Sequence, residues 1–307
     1  MVEAMEILQQ IGQILAFLVL TLMYSVRSLV NFFIPAAYEP VKNVKGDVIL
    51  ITGGGSGLGR LLSIKLSKLG AKIVIWDVNE KGMEETVKMV KSNGGTIHHY
   101  KVDITKREEV YKVAEQVKKD AGDVTILINN AGVVSGYHLL DIPDHLIQRT
   151  FEVNAISHFW TTKAFLPSMI SNKRGHIVTI ASMAGHMGCS KLVDYCSSKF
   201  AAVGFDESLR VELEALGVTD IKTTCVCPFF IHGTGMFGDV APKFTPVLTT
   251  EQVSESVILG ILREDLYVML PKSMRYSFWV KWILPWQVIS MYMRHTVPDA
   301  CPTPGMK

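Results

Sequence analysis

Tyr195 and Lys199 stand four residues apart and are the strongest candidates for catalytic chemistry in the sequence. Residues four apart lie on the same face of a helix, so their side chains would be neighbours. A tyrosine has an unperturbed pKa of about 10, too high for a base at neutral pH, but a nearby ammonium lowers it. The phenol could then accept or return a proton at a carbinol oxygen. Such a pair also occurs by chance on surface helices, so the prediction depends on a third group.

Ser182 is that third group, because it directly follows the apolar segment 176–181, which we predict to be a buried strand. Open parallel sheets bind their ligands at the carboxyl ends of the strands. The Ser182 hydroxyl could therefore hydrogen-bond the same oxygen as Tyr195. Together with Lys199, the two residues predict acid–base chemistry at an alcohol.

A glycine-rich segment, TGGGSGLG at residues 52–59, joins the first predicted strand to the first predicted helix. Glycine lets the backbone approach a pyrophosphate closely, and the free N–H groups at a helix start hold the anion. The residues of this segment that we expect to hold the cofactor are Gly53, Ser56, Gly57, Leu58 and Gly59.

Asp77 ends the second predicted strand, downstream of the glycine segment. Its carboxylate would accept hydrogen bonds from the adenosine ribose and repel a 2′-phosphate, which favours NAD over NADP. Taken alone, an acidic residue there could instead cap a helix. The glycine segment before it makes the cofactor site the better interpretation.

These residues lie on an alternation of short apolar runs and segments with helical spacing. The predicted strands are 47–52, 72–76, 96–102, 124–129, 176–181, 221–226 and 266–270. The predicted helices are 58–69, 80–92, 106–119, 144–171, 192–216 and 251–262. Strands separated by helices of this length form a parallel sheet with helices on both faces. We therefore predict an α/β doubly wound parallel sheet, the Rossmann fold, as a catalytic domain over residues 45–270.

Residues 7–26 carry no charged side chain, and about 20 helical residues span the hydrocarbon core of a bilayer. A cleaved signal peptide fits poorly because Glu3 and Glu6 are acidic. Arg27, Lys42 and Lys45 follow the apolar stretch, which by the positive-inside rule places the catalytic domain in the cytoplasm. We predict an anchor over residues 1–36, in the endoplasmic reticulum membrane or a lipid droplet. A full span and a hairpin in one leaflet both stay open.

The last segment, residues 271–307, mixes basic residues with tryptophan, tyrosine and phenylalanine. Aromatic side chains with polar tips favour the headgroup region, and cations favour anionic lipid. A core helix or a dimer-interface helix is the alternative. We prefer a second membrane contact that also shapes the entrance to the substrate pocket.

The composition excludes several classes of protein. The chain has 307 residues, is 48% hydrophobic and carries a net charge of +2. Disordered chains need lower hydrophobicity and higher net charge, and nucleic-acid binding needs a basic patch that is absent here. Five cysteines are too few for a disulfide scaffold, and we expect reduced cytosolic thiols. No histidine or cysteine spacing indicates a metal site.

Taken together, the motifs resemble the short-chain dehydrogenase/reductase family over about residues 48–270. The quoted positions are TGGGSGLG at 52–59, Asp103, Asn129-Asn-Ala-Gly132, Asn154, Ser182, Tyr195, Lys199 and Pro228. Longer stretches such as NNAGVVSG and TTKAFLPSM resemble the membrane-associated branch of retinol and 17β-hydroxysteroid dehydrogenases.

The resemblance implies a role for each of these positions. Ser182 would polarise the substrate oxygen, and Tyr195 would be the acid–base group. Lys199 would lower the pKa of Tyr195 and bind the nicotinamide ribose, and Asn154 would support a water that relays protons. The expected cofactor contacts are Asp103 at the adenine, Asn130, Ala131 and Gly132 along the cleft, Pro228, and Thr234 at the carboxamide. This chain has one residue more before Thr234 than the family pattern, which makes that contact less secure.

The sequence thus predicts a dehydrogenase that uses NAD to oxidise a lipophilic alcohol at a membrane or lipid-droplet surface. Retinol is the first choice of substrate, and a 17β-hydroxysteroid or another lipid alcohol is the alternative. A lipid-droplet scaffold with residual NAD binding stays open as a different class. The resemblance also implies a homodimer.

Overall fold

The computed structural model describes residues 2–33, 40–233, 235–237, 242–243, 246–276 and 281–297. The chain forms two compact units, residues 1–41 and 42–307. The second unit contains the sheet and every predicted site residue.

Helix α1, Val2–Phe33, makes up the described part of the first unit. Its segment Met5–Arg27 has a mean hydropathy of 1.7 and is long and apolar enough to cross a membrane. The side chains described along that segment are all exposed to solvent. In length and composition the helix fits the membrane anchor that the sequence predicts.

Seven parallel strands form the sheet of the second unit. They are β1 Val48–Thr52, β2 Lys72–Asp77, β3 Thr96–Lys101, β4 Ile126–Asn129, β5 Gly175–Ile180, β6 Ile221–Pro228 and β9 Tyr267–Leu270. The last of these is called β9 because two short strands, β7 Ile231–His232 and β8 Leu248–Thr249, precede it in the chain. Their spatial order is β3-β2-β1-β4-β5-β6-β9. The order reverses beside β1, where β2 lies on one side and β4 on the other. Open α/β sheets bind their ligands outside the strand ends at such a reversal.

Helices cover both faces of this sheet. They are α2 Gly57–Lys68, α3 Glu80–Ser92, α4 Arg107–Asp120, α5 Asp144–Phe151, α6 Ser157–Ser171, α7 Val193–Ala215 and α8 Thr250–Arg263. A further helix, α9 Trp286–Thr296, follows the last strand. Successive strand residues point to opposite faces, so Ile49 packs with Leu62 of α2, whereas Leu50 packs with Val117 of α4. The observed fold is the predicted doubly wound Rossmann fold.

The structure differs from the prediction in the long helix over residues 144–171. A wider π-helical turn, Glu152–Ile156, separates α5 from α6. Strand β6 continues to Pro228, two residues beyond its predicted end. Two short strands that were not predicted, β7 Ile231–His232 and β8 Leu248–Thr249, pair with each other beyond the sheet.

Candidate active site

A cavity of about 750 Å³ opens at the carboxyl ends of the strands and contains most of the predicted site. The predicted residues that line it are Gly53, Ser56, Gly57, Leu58, Gly59, Asp77, Asp103, Asn130, Ala131, Gly132, Ser182, Tyr195, Lys199 and Pro228. Asn154 is not among the lining residues, and Thr234 lies outside the described residues. Groups that are far apart in the chain therefore meet in one space.

The glycine segment packs so tightly that side chains are excluded from it. Gly53 has a φ of +67°, a conformation that favours glycine. A Cβ added to Gly59 would lie 2.2 Å from the Gly53 carbonyl oxygen. The residues at the start of α2 line the cavity, and the first N–H groups of a helix have no partner within the helix, which is the arrangement that a pyrophosphate site uses.

Hydrogen bonds between Asn130 and Thr52 connect the end of β4 to the glycine segment. The Asn130 amide donates to the Thr52 carbonyl oxygen at 2.8 Å, and the Thr52 hydroxyl accepts from the N–H groups of Asn130 at 3.0 Å and Ala131 at 3.1 Å. These bonds fix the two strand ends that flank the reversal of strand order. The cofactor-binding residues predicted from either segment are thereby held in register.

Asp77 lies at the end of the cavity that would receive an adenosine ribose. One carboxylate oxygen accepts from the N–H of Gly55 at 2.9 Å, and the other accepts from the N–H of Asn79 at 2.9 Å. The side chain is half-buried and lines the cavity. A fixed negative charge at this point disfavours a phosphate on the ribose.

Arg60 lies beside the glycine segment, and its guanidinium is already engaged there. It donates to the Gly55 carbonyl oxygen at 2.6 Å and forms an ion pair with Glu85 at 2.8 Å. Arg60 does not line the cavity. Its charge is therefore largely neutralised away from the position of a 2′-phosphate.

Asp103 borders the same end of the cavity and is held by its own turn. Its Oδ1 accepts from the Thr105 hydroxyl at 2.7 Å and from the Thr105 N–H at 3.1 Å. Thr105 and Ile104 also line the cavity. The turn after β3 thus forms a wall where the adenine contact was predicted.

Ser182 and Tyr195 lie close together at the end of the cavity opposite Asp77 and Asp103. The Ser182 hydroxyl donates to the Pro228 carbonyl oxygen at 3.3 Å and accepts from the Ala184 N–H at 3.1 Å. A hydrogen bond with Ser182 lowers the pKa of the Tyr195 phenol, but burial has the larger effect and raises it. Both side chains are buried at the cavity wall.

Lys199 lies one helical turn beyond Tyr195 on α7. Its ammonium donates to the Ile180 carbonyl oxygen at 2.8 Å, and burial lowers its pKa to about 8. The net shift of the Tyr195 pKa in this structure is upward, opposite to the expected effect of Lys199. The physical reason is that the loss of hydration around the phenol outweighs its hydrogen bond with Ser182, which is the contact that lowers this pKa.

Asn154 lies in the π-helical turn, behind the cavity wall. Its side-chain oxygen accepts from the Val133 N–H at 2.8 Å, and its amide donates to the Val133 carbonyl oxygen at 2.9 Å and to the Ser198 hydroxyl at 3.0 Å. The side chain thus joins a cavity-lining residue to α7. Its amide protons are both in use, so a relay water could bond only to the second lone pair of the side-chain oxygen or to another atom of the turn.

The wall around Tyr195 is apolar and aromatic. Phe237 meets the Tyr195 ring edge-on at 5.8 Å between centroids, and Phe230 meets Phe237 at 5.0 Å. The other apolar residues of this end are Ala184, Met187, Cys189, Leu192, Phe229, Ile231 and Met236. His138 and His232 are exposed and do not line the cavity.

The C-terminal segment is attached next to this apolar end. Lys281 donates to the His186 carbonyl oxygen at 2.7 Å, and its ammonium lies 5.1 Å from the centre of the Phe200 ring. Trp282 is 82% exposed and Trp286 is 69% exposed. A segment with large exposed aromatic side chains therefore lies beside the loop that leads into the cavity through Met187.

Several lining residues were not identified from the sequence. Arg149, Glu152 and Val153, at the end of α5 and in the π-helical turn, line the cavity. Cys189 and Leu192 come from a loop without periodic pattern. Only the position of that loop between Ser182 and Tyr195 could have drawn attention to it. Among the described residues, no group of three or more histidine, cysteine or acidic side chains could hold a metal ion.

Comparison with known proteins agrees with this geometry. A family model described as short chain dehydrogenase matches residues 47–244. The chain is 49% identical to human epidermal retinol dehydrogenase 2 over 80% of this chain and 81% of the relative. It is 45% identical to human estradiol 17-beta-dehydrogenase 11 over 92% of both chains.

A solved structure gives a similar result for the fold. It is described as a short chain dehydrogenase/reductase from Burkholderia phymatum in complex with NAD, and it superposes with a TM-score of 0.72 at 24% identity. The match covers 84% of this chain and 99% of that one. At this identity the likeness concerns the fold alone.

Proposed function

Because the chain belongs to the short-chain dehydrogenase/reductase family, and is thus an NAD(P)-dependent oxidoreductase, we propose that it uses NAD to oxidise a lipophilic alcohol at a membrane surface. Retinol, oxidised to retinaldehyde, is the first choice of substrate. The observation that carries the proposal is the cavity itself. One end has the glycine segment and Asp77, and the other has Ser182, Tyr195 and Lys199 within an apolar wall.

The residues at the first end fit a dinucleotide. The close packing of Gly59 on the Gly53 carbonyl leaves room only for backbone, and the residues at the start of α2 line the cavity. Asp77 would accept hydrogen bonds from the ribose hydroxyls. Arg60, which could otherwise neutralise a 2′-phosphate, is paired with Glu85. These contacts support NAD as the cofactor.

The residues at the second end fit the oxidation of an alcohol. The cofactor supplies an acceptor for the hydride from the carbinol carbon. Tyr195 accepts the hydroxyl proton at its phenolic oxygen, and Ser182 hydrogen-bonds the same substrate oxygen. Gly132, Val133 and Pro228 line this space. The apolar surroundings strengthen the interactions of the developing charge.

Lys199 and Asn154 support this chemistry without bonding to the substrate oxygen. The Lys199 ammonium stabilises the phenolate form of Tyr195, and from its place at the end of β5 it would also bind the nicotinamide ribose. Asn154 holds Val133 in the cavity wall through two hydrogen bonds. We assign it a positioning role, with a relay water held by the main chain of its turn.

The apolar end supports a hydrophobic substrate. Phe229, Phe230 and Phe237 present ring faces and edges to the space beside Tyr195. A polyene or a fused ring system would bury its apolar surface there, while the hydroxyl reaches Ser182. The relative named epidermal retinol dehydrogenase 2 favours retinol. The relative named estradiol 17-beta-dehydrogenase 11 favours a 17β-hydroxysteroid as the second candidate.

We further propose that the protein resides on the endoplasmic reticulum or a lipid droplet, with the catalytic domain in the cytoplasm. Helix α1 fits the anchor of residues 1–36. The exposed Trp282 and Trp286 would provide a second contact in the segment 271–307. The catalytic domain of residues 45–270 is proposed to pair as a homodimer.

The test is a panel of retinol, estradiol and long-chain alcohols, assayed with NAD and with NADP on the full-length protein in detergent. We expect retinol oxidation with NAD to have the highest kcat/KM. A preference for estradiol would transfer the proposal to the second candidate. NAD binding without turnover of any alcohol would favour a scaffold, the different class that the sequence left open.

A further inference from the structure

We propose that Cys189 and Cys196 form a reversible disulfide beside the active site, and that peroxide inactivates the enzyme by oxidising this pair. Nothing in the alcohol chemistry uses either thiol. The inference goes beyond the proposed function, and its first readout is covalent structure rather than turnover.

The two cysteines lie within reach of each other and of the cavity. Cys189 lines the apolar end and is only partly buried, whereas Cys196 is 5% exposed and follows Tyr195 directly. The two thiols are hydrogen-bonded to each other. The Cys196 N–H donates to the Leu192 carbonyl oxygen at 2.7 Å, so the second thiol is fixed to the first turn of α7. A reagent in the cavity therefore meets one thiol, with its partner adjacent.

The second cysteine pair of the described residues provides an internal comparison. Cys225 and Cys227 lie 3.7 Å apart on β6, and both are fully buried. Neither lines the cavity. Their positions two residues apart on one strand also suit a disulfide poorly, because strand geometry holds the backbone atoms extended. Oxidation from the cavity should therefore reach Cys189 and Cys196 first.

The hydrogen bond between the thiols favours the chemistry. The Cys189 S–H donates to the Cys196 sulfur, which lowers the pKa of Cys196 and raises that of Cys189. The thiolate of the pair is therefore Cys196, adjacent to the cavity-facing Cys189. The thiolate is the reactive form in such oxidations.

The reaction balances with hydrogen peroxide as the oxidant. The Cys196 thiolate attacks one peroxide oxygen, the O–O bond breaks, and a sulfenic acid forms on Cys196 while the released hydroxide takes up a proton to give water. The Cys189 sulfur then attacks the sulfenic sulfur of Cys196 and gives up its proton, and the S–O bond breaks to release a second water. Two thiols are oxidised by two electrons, and one peroxide is reduced to two waters. Cytosolic disulfides of this kind are transient and respond to redox conditions.

The disulfide would disturb the acid–base group. The sulfurs must close to about 2.05 Å, which draws Cys196 and the loop at Cys189 together. Tyr195 precedes Cys196 in the same helical turn, so its phenol must shift against Ser182. Since a displacement of about 1 Å can cost 10²-fold in rate, we expect the oxidised protein to lose about two orders of magnitude in kcat/KM.

The experiment uses the full-length protein in detergent, with Cys301→Ser as the background to remove the fifth cysteine. After treatment with hydrogen peroxide, free thiols are alkylated and the protein is digested with trypsin without reduction. Cleavage after Lys191 places the two cysteines in separate peptides, 175–191 and 192–199. The expected product is these two peptides joined, 2 Da lighter than their sum, with activity lost in parallel and restored by dithiothreitol.

Single substitutions distinguish oxidation of this cysteine pair from oxidation elsewhere in the protein. Cys189→Ser and Cys196→Ser should each abolish the joined peptide and keep their own untreated activity after peroxide. Cys225→Ser should respond as the background does. The proposal is overturned if peroxide yields no joined peptide, if the joined protein keeps its activity, or if Cys196→Ser loses activity as fast as the background. The mass spectrum answers the first point even if retinol is not a substrate.

Discussion

The ammonium nitrogen of Lys199 lies 5.8 Å from the centre of the Tyr195 ring, one helical turn further along α7. Both side chains are buried, and the ammonium donates to the Ile180 carbonyl oxygen at the end of β5. This bond ties the helix that carries the acid–base group to the strand that ends beside Ser182. The relative positions of the three catalytic candidates therefore depend on a contact between α7 and the sheet.

Tyr195→Phe removes only the hydroxyl, so the fold and NAD affinity should be retained. Retinol oxidation should fall by about 10²–10⁴-fold in kcat, since the proton acceptor is lost. The matched control is Tyr100→Phe, which removes a hydroxyl bonded to Asp120 at 2.7 Å outside the cavity. Stopped-flow kinetics and NAD titration measure the two quantities separately. A folded, NAD-binding Tyr195→Phe protein with wild-type kcat would refute the mechanism.

The pH profile should depend on Lys199. Oxidation needs the Tyr195 phenolate, so the rate rises with pH. Burial raises the pKa of the phenol in this structure, and we expect the Lys199 ammonium to offset that shift in the complex with NAD, so that the rise in rate begins below the free-tyrosine pKa of about 10. Burial lowers the pKa of Lys199 to about 8, so Lys199 is cationic below that pH and its effect on the phenolate should be strongest there. Lys199→Met should move the rising limb to higher pH and weaken NAD binding. Lys112→Met, at an exposed site on α4, should leave both unchanged. An unshifted limb in Lys199→Met would contradict this role.

Asp77 should determine the choice of cofactor. The wild type should prefer NAD by kcat/KM because the carboxylate repels a 2′-phosphate. Asp77→Ser should raise the NADP-to-NAD ratio of kcat/KM by about tenfold or more, equivalent to roughly 1.4 kcal/mol. Adding Glu85→Gln should raise it further by releasing Arg60. The exposed Asp220→Ser is the control for net charge. A wild type that uses NADP equally well would exclude the assignment.

Two glycine substitutions should have opposite effects. Gly59→Ala places a Cβ against the Gly53 carbonyl oxygen, so NAD binding should be lost and the melting temperature lowered. Gly204→Ala lies in α7 at a position with no atom within 4 Å, and it should stabilise the fold by about 0.5–1 kcal/mol. Calorimetry with and without NAD measures both. Normal NAD affinity in Gly59→Ala would show that the tight turn is not needed for the cofactor.

The type and order of the main elements could be predicted because their apolar periodicity is strong. The spacing of Tyr195 and Lys199 placed them correctly on one helix, and the glycine segment placed the turn before α2. The π-helical turn at residues 152–156 could not be predicted. Its extra residue is stabilised by the bonds of Asn154 to Val133, which is distant in the chain.

The residues of the apolar wall also could not be predicted from the local sequence pattern. Cys189 and Leu192 lie in a loop whose course depends on contacts with α7, such as the bond from the Cys196 N–H to Leu192. The direction of the Tyr195 pKa shift was also missed, because desolvation depends on how much of the domain packs around the phenol. Spacing identifies neighbours on one element but not the degree of their burial.

Membrane attachment should depend on two segments. Deleting residues 1–35 should release the protein from membranes only partly, because Trp282 and Trp286 remain exposed. Trp282→Ala together with Trp286→Ala in the shortened chain should make it soluble. The control is Val211→Ala, at a 64% exposed apolar site on α7. Flotation with anionic vesicles at low salt measures binding. Complete release by the first deletion alone would assign the segment 271–307 to the core or to a dimer interface.

The bond from Lys281 to the His186 carbonyl places the exposed tryptophans beside the route to Tyr195. For a substrate that enters there from the lipid, the concentration that the enzyme encounters is the concentration within the bilayer rather than the concentration in the buffer. Adding vesicles at a fixed total amount of alcohol would then dilute the substrate that each enzyme molecule encounters. Turnover should follow the mole fraction of alcohol in the membrane, and a KM expressed in molar units should rise in proportion to the lipid present.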